Sequence, residues 1–115
     1  MDKPLLSIVM PALNEEDNIL AAVSATLKAF DDLKISCEVI VINDGSADKT
    51  ERIVKELMSK EGARVRLINH DKPHGMGASF WDGAAKASGE IVAMFPGDNE
   101  TKPYEALRYL KLLED

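Results

Sequence analysis

The chain has 115 residues, 14 Lys plus Arg against 20 Asp plus Glu, and a formal net charge of -6 at pH 7. That length bounds it to one domain, read as residues 1–115. An acidic balance with only 5% aromatic residues lacks the basic groove and stacking platforms of nucleic-acid binders, and the polybasic face that anionic lipid attracts.

The first apolar run, 6–10, is interrupted by Ser7 and stopped by Pro11, so it reads as a strand, too short for a membrane span and wrong for a signal peptide. Ile19, Leu20, Val23, Leu27 and Phe30 then recur on one side of a helix expected over 16–31, with Asn14 as its N-cap. A second strand covers 38–42. The lone Cys37 before it cannot form an intrachain disulfide; an inert packing thiol in a cytoplasmic protein is expected. Asp48 and Glu51 have capping-box spacing ahead of a second helix that carries Ile53, Val54, Leu57 and Met58 and ends at Gly62. A third strand, 65–68, leads to a helix over 76–87 that is small at Ala78, Ala84 and Ala85 and bulky at Phe80 and Trp81, read as core and flank. The fourth strand is 90–95. Pro103 opens a last helix that places Ala106, Leu107, Leu110 and Leu113 on one face.

The strands are near-continuous in apolar residues, most clearly at Val39-Ile40-Val41-Ile42, as expected when helices cover both faces of a parallel sheet. Strict β-α alternation with right-handed crossovers predicts an α/β, doubly wound, mostly parallel sheet of order 3-2-1-4. Such a sheet binds ligands at the carboxyl ends of its strands, beside strand one. The uncovered edge of strand four is a place for self-association.

Three polar segments leave those carboxyl ends: Pro11-Ala12-Leu13-Asn14-Glu15-Glu16, Asn43-Asp44-Gly45-Ser46-Ala47-Asp48 and Pro96-Gly97-Asp98-Asn99-Glu100. Each alone is turn or capping chemistry. Together, in the predicted order, they line one cleft with carboxylates. An acidic cleft repels an anionic ligand unless a cation intervenes, and Mg²⁺ or Mn²⁺ needs only one or two protein carboxylates when phosphate and water complete its shell. Gly75-Met76-Gly77-Ala78 either brings backbone close to a phosphate or sugar or packs a helix start; it is not a dinucleotide fingerprint. No Gly-x-x-x-x-Gly-Lys loop is present. His70 and His74 stand four apart with no Cys pair and no visible partner, so no zinc site is expected and His74 is read as a surface residue.

These motifs, with Ser7-Ile8-Val9-Met10, Ala87-Ser88-Gly89-Glu90-Ile91-Val92 and the Asn-Glu-Glu-x-Asn-Ile form at 14–19, resemble family 2 glycosyltransferases of GT-A fold. The likeness is to the dolichyl-phosphate mannosyltransferase and polyprenyl-phosphate glycosyltransferase branch. It implies transfer of a sugar, with inversion, from a nucleotide diphosphate sugar such as GDP-mannose or a UDP-sugar to a polyprenyl phosphate. It implies that Pro11, Ala12, Asn14 and Glu15 line the nucleotide pocket and that Asp44 hydrogen-bonds the base, with Gly45 and Gly77 counted among the donor-binding positions. An Asp-x-Asp expected after strand four to hold Mg²⁺ or Mn²⁺ reads Pro96-Gly97-Asp98, leaving Asp98 as the metal ligand and Glu100 as a second candidate. The resemblance covers the donor-binding half of such enzymes. No catalytic base is identified within the chain, which is expected to be inactive in transfer alone; a non-catalytic nucleotide-sugar-binding module is the alternative.

Overall fold

A computed structural model describes residues 3–106. Its elements are β1 (Leu6–Ala12), α1 (Ile19–Leu33), β2 (Cys37–Asp44), α2 (Thr50–Glu61), β3 (Val65–His70), α3 (Met76–Lys86) and β4 (Ile91–Met94), with a short 3-10 turn, Gly62–Arg64, before β3. The sheet is wholly parallel in the order β3-β2-β1-β4, the predicted doubly wound arrangement. Pro103 opens helical backbone that continues through Ala106; Leu107, Leu110 and Leu113 lie outside the described residues.

Period-two alternation of the strands assigns their faces. Leu6, Ile8, Met10 and Ala12 of β1 and Val39 and Val41 of β2 pack with Val23, Leu27 and Phe30 of α1 and Val54 and Leu57 of α2. Val9, Ile40 and Ile42 point to the other face, against Phe80 on α3. All seven residues of β1 are buried, which is why its sequence shows no polar alternation. Removing each large apolar side chain from water contributes roughly 1.5–3 kcal/mol, so β1 and β2 carry most of the burial that stabilises the sheet. Trp81 is 72% exposed, outside the core; it meets Phe80 edge-on, ring centroids 5.6 Å apart.

α1 begins at Ile19, not at 16, and its N-cap is Asn18. Asn14 takes a left-handed φ of 55° and its Oδ1 accepts the Ala47 N–H at 2.8 Å, so its side chain bridges loops instead of capping. Glu15 and Glu16 donate their N–H groups to Thr50 Oγ1 and Asp48 Oδ2 at 3.0 and 3.1 Å. The expected capping box of Asp48 and Glu51 does not form: the N-cap of α2 is Lys49, without a side-chain cap hydrogen bond. Asp48 Oδ1 accepts the Thr50 N–H at 2.9 Å, whereas Glu51 turns to Lys55 and Asn69. Gly62 ends α2 at a positive φ of 65°.

At the amino ends of the strands, Glu38 is buried. It accepts Ser7 Oγ–H at 2.6 Å, the Ser88 N–H at 2.6 Å and Arg66 Nη1–H at 2.9 Å. Ser7 Oγ in turn accepts the Gly89 N–H at 2.8 Å. One carboxylate thus ties β1, β2, β3 and the turn into β4. Burial opposes its charge, but these donors outweigh that and hold its pKa below the ordinary glutamate value. Cys37 is half-buried, and burial pushes its thiol up to about 12.

Candidate functional site

The carboxyl ends of β1, β2 and β4 and the β3–α3 loop enclose a cavity of about 240 Å³ lined by Pro11, Ala12, Leu13, Glu15, Asp44, Pro73, Gly75, Met76, Pro96 and Asp98. The three polar loops therefore meet at one end of the sheet, with Asp44 and Asp98 on the same cavity. Its lining holds three carboxylates and no Lys, Arg or His.

Hydrogen bonds between loops fix this rim. The Asn14 N–H donates to Ser46 Oγ at 2.9 Å while its side chain holds Ala47, zipping the β1 loop to the β2 loop. Glu15 Oε1 accepts Asn18 Nδ2–H at 3.0 Å. The Gly97 N–H donates to the Pro11 carbonyl at 2.9 Å, binding the β4 loop to the end of β1. The approach is tight: a Cβ at residue 97 would lie 2.9 Å from Ile19 Cδ1 and 3.2 Å from the Pro11 carbonyl oxygen.

Asp44 is 5% exposed. Its Oδ1 accepts His70 Nδ1–H at 2.7 Å and the His74 N–H at 2.8 Å, and its Oδ2 accepts the Gly75 N–H at 3.0 Å. Burial would raise its pKa; the imidazole and the two amides reverse that and keep it below the usual aspartate range. The His70 side chain is 7% exposed, and its Nε2 lies 2.7 Å from Asp82 Oδ2. Ionised carboxylates only accept, so two carboxylates facing the two ring nitrogens favour the protonated ring. Its pKa is raised, chiefly by Asp44, then by Asp82, against the opposing effect of burial.

Of the residues singled out from sequence, Pro11, Ala12, Glu15, Asp44 and Asp98 line the cavity, and Asn14 braces its rim. Gly45 acts from behind: at φ +78°, a Cβ there would meet Lys72 C at 2.6 Å and Pro73 N at 2.7 Å, so its lack of a side chain lets the β3–α3 loop pass. Gly77 is exposed with open space around it and is not among the lining residues. Residues 97 and 98 form a turn, not the extended segment that would put Asp98 and Glu100 on one side; Asp98 Oδ1 accepts the Glu100 N–H at 3.0 Å and Glu100 is exposed. Sequence reading missed Pro73 and Met76 in the wall, and Asp82 as a partner of His70. β3 runs on past the expected 68 to His70, an extension that the polar Asn69 and His70 do not signal in the sequence, and nothing local marked Asp82.

Residues 7–115 match the family model Glycosyl transferase family 2. The chain is 30% identical over 110 residues to undecaprenyl-phosphate 4-deoxy-4-formamido-L-arabinose transferase of Aeromonas hydrophila, covering 96% of this chain and 34% of that protein. It is 34% identical over 102 residues to a dolichyl-phosphate beta-glucosyltransferase of Trichomonas vaginalis, covering 84% of this chain and 31% of that one. Glucosyl-3-phosphoglycerate synthase of Mycobacterium tuberculosis, solved with Mn²⁺, uridine diphosphate and phosphoglyceric acid, superposes with a TM-score of 0.71 at 27% identity, over 96% of this chain and 39% of that one. The chain thus spans about a third of the length of these curated relatives. No helix among the described residues is long and apolar enough to cross a membrane. With the parallel 3-2-1-4 sheet of the GT-A fold and the family match over nearly its whole length, the chain belongs to glycosyl transferase family 2.

Proposed function

We propose that this chain holds the nucleotide diphosphate sugar, GDP-mannose or a UDP-sugar, of a reaction that transfers the sugar with inversion to a polyprenyl phosphate. The observation that carries this reading is the cavity where loops from three strands bring Glu15, Asp44 and Asp98 together without a lining cation. A diphosphate is repelled there unless a divalent ion joins it. The donor set fits such an ion: the acidic ligands are hard carboxylate oxygens, and one or two suffice for Mg²⁺ or Mn²⁺ beside phosphate and water. Asp98 is the residue that would hold it, and the ion would supply charge stabilisation on the departing nucleotide diphosphate.

The chain's own residues do the rest of the donor work. Pro11 and Ala12 floor the cavity beside Asp98, held by the Gly97 amide on the Pro11 carbonyl. Asp44 shapes the opposite wall by fixing the amides of His74 and Gly75, so its part in recognising the base runs through the loop as well as its own carboxylate. A polyprenyl phosphate oxygen is already anionic at neutral pH, so a strong general base is not required, and direct attack inverts the sugar carbon. The relatives named for undecaprenyl and dolichyl phosphate support that acceptor class, and the Mn²⁺ and uridine diphosphate of the mycobacterial structure support the donor. Since those relatives are about three times longer, transfer is not expected of residues 1–115 alone, and the test is binding.

UDP and GDP titrated calorimetrically into the metal-stripped chain should bind only with Mg²⁺ or Mn²⁺ present. Asp98→Asn should lose at least about tenfold in affinity, about 1.4 kcal/mol. Equal affinity in the variant overturns the assignment of Asp98. A non-catalytic nucleotide-sugar-binding module is the second reading, favoured by Pro96 lining the cavity where a metal-binding carboxylate was expected; metal-independent nucleotide binding would select it.

A further inference from the structure

On the outer side of the β3–α3 loop, His70, His74 and Asp82 bring one ligand atom each to within 4.8 Å of one another. His70 is the anchored member, buried between two carboxylates, with Nδ1 on Asp44 and Nε2 on Asp82, both at 2.7 Å. The His74 ring stacks on it, centroids 4.3 Å apart and planes 11° from parallel. None of these three side chains lines the donor cavity, but Asp44 touches both places.

We propose that His70, His74 and Asp82 form a second metal site, for a borderline divalent transition ion of the Zn²⁺ class, with Asp44 as its outer carboxylate. The chemistry of the donors selects the ion. Two imidazole nitrogens and one carboxylate suit Zn²⁺, Co²⁺ or Ni²⁺, whereas Mg²⁺ prefers an all-oxygen shell. The arrangement around His70 is the one metal-bound histidines use: the nitrogen away from the ion donates to a carboxylate, which fixes the tautomer and the ring plane. Asp44 does this at Nδ1, so Nε2 is the nitrogen directed to the ion, and the proton it shares with Asp82 leaves to solvent as the ion binds. Three protein ligands leave a fourth position for water.

The movements required are small and fall on the side chains able to make them. Bonds of about 2.0–2.2 Å in a tetrahedral site separate donor atoms by about 3.3–3.5 Å, so Asp82 withdraws from Nε2 by less than about 1 Å. Its side chain is 51% exposed. The His74 ring leaves the stack and turns one nitrogen toward the gap between Nε2 and Oδ2, a rotamer change for a side chain 39% exposed on a loop. Loading the site would clamp the β3–α3 loop to α3. Because the His74 and Gly75 amides hang on Asp44, the clamp would stiffen one wall of the donor cavity without contributing a group to it.

The test uses the untagged, metal-stripped chain of residues 1–115 and Co²⁺ as a spectroscopic probe. A saturable visible absorption band of tetrahedral Co²⁺ is expected at one equivalent, displaced by one equivalent of Zn²⁺, with Zn²⁺ raising Tm. His74→Ala and Asp82→Asn change exposed residues, so both should keep the far-UV circular dichroism of the parent while each weakens Zn²⁺ binding by at least about tenfold, the minimum known for disturbing even an outer partner. Asp98→Asn should keep the band, which separates this site from any ion in the donor cavity. Absence of the band, a loss of Zn²⁺ affinity smaller than about tenfold in either His74→Ala or Asp82→Asn, or loss of the band in Asp98→Asn overturns the proposal.

Discussion

Replacing Gly45 by alanine probes how the wall of the cavity is built. The backbone there sits at φ +78°, where a side chain costs roughly 1–2 kcal/mol. The new methyl would also lie 2.6 Å from the carbonyl carbon of Lys72, 2.7 Å from Pro73 N and 2.8 Å from Lys72 Cα. All three are backbone atoms, so relief requires the 72–73 segment to move, at an overpacking cost of about 1–3 kcal/mol. The sum is roughly 2–5 kcal/mol, a large part of the stability of a domain this size. Gly62→Ala separates the two costs differently: nothing lies within 4 Å of the added Cβ, so its loss is conformational alone, at φ 65° and ψ -139°, close to backbone that is essentially glycine-only. Urea unfolding should show Gly45→Ala less stable than the parent by about 2–5 kcal/mol. In metal-supported nucleotide titration only Gly45→Ala should lose affinity, because Pro73 lines the cavity. Destabilisation of Gly45→Ala no larger than the backbone cost of about 1–2 kcal/mol, or nucleotide affinity within about twofold of the parent, would refute the account of Gly45 as a passage for the loop.

Gly83→Ala on α3 should destabilise despite the better helix propensity of alanine: its Cβ would lie 2.5 Å and 2.9 Å from the two γ-methyls of Val9, and a buried β-branched side chain has little rotamer freedom to give. A net loss of about 1–2 kcal/mol is expected, read as a fall in Tm of roughly 5–10 °C. Glu38 predicts an acid dependence. Its folded pKa is lowered, so its stabilisation is complete above the unfolded glutamate pKa and disappears as pH falls through the folded value. Urea midpoints measured from about pH 6 to pH 3 should therefore fall more steeply for the parent than for Glu38→Gln; parallel curves would show that the carboxylate contributes no such linkage.

The sheet was legible because its signal is carried by many residues at once. Four β-branched runs alternating with amphipathic periods leave few topologies, and order 3-2-1-4 with its crevice followed from the crossover rule. The cavity was legible at the same level, since strand order alone brings the loops bearing Glu15, Asp44 and Asp98 together. What escaped depends on single side chains choosing between partners. Asn14 has the composition of an N-cap, yet the β2 loop offers it the Ala47 amide, and α1 starts later as a result. The pairing of His70 with Asp82 joins the end of a strand to the second turn of a helix, a distance that no local pattern encodes. Glu38 read as one polar position at the edge of a strand; its burial depends on donors from three other segments.

The strand order also sets when the cavity can exist. β1 is paired by β2 on one side, but its other side waits for β4, whose first paired residue, Ile91, meets Leu6 across most of the chain. A chain emerging from the ribosome can therefore assemble β1, β2 and β3 with α1 and α2 while one edge of its most buried strand stays bare. The cradle that faces the diphosphate forms only after residues 96–98 arrive to close it against Pro11. Ligand-binding competence thus waits for residues 96–98 to emerge, and the bare edge of β1 in the interval is the surface a chaperone would have most reason to cover.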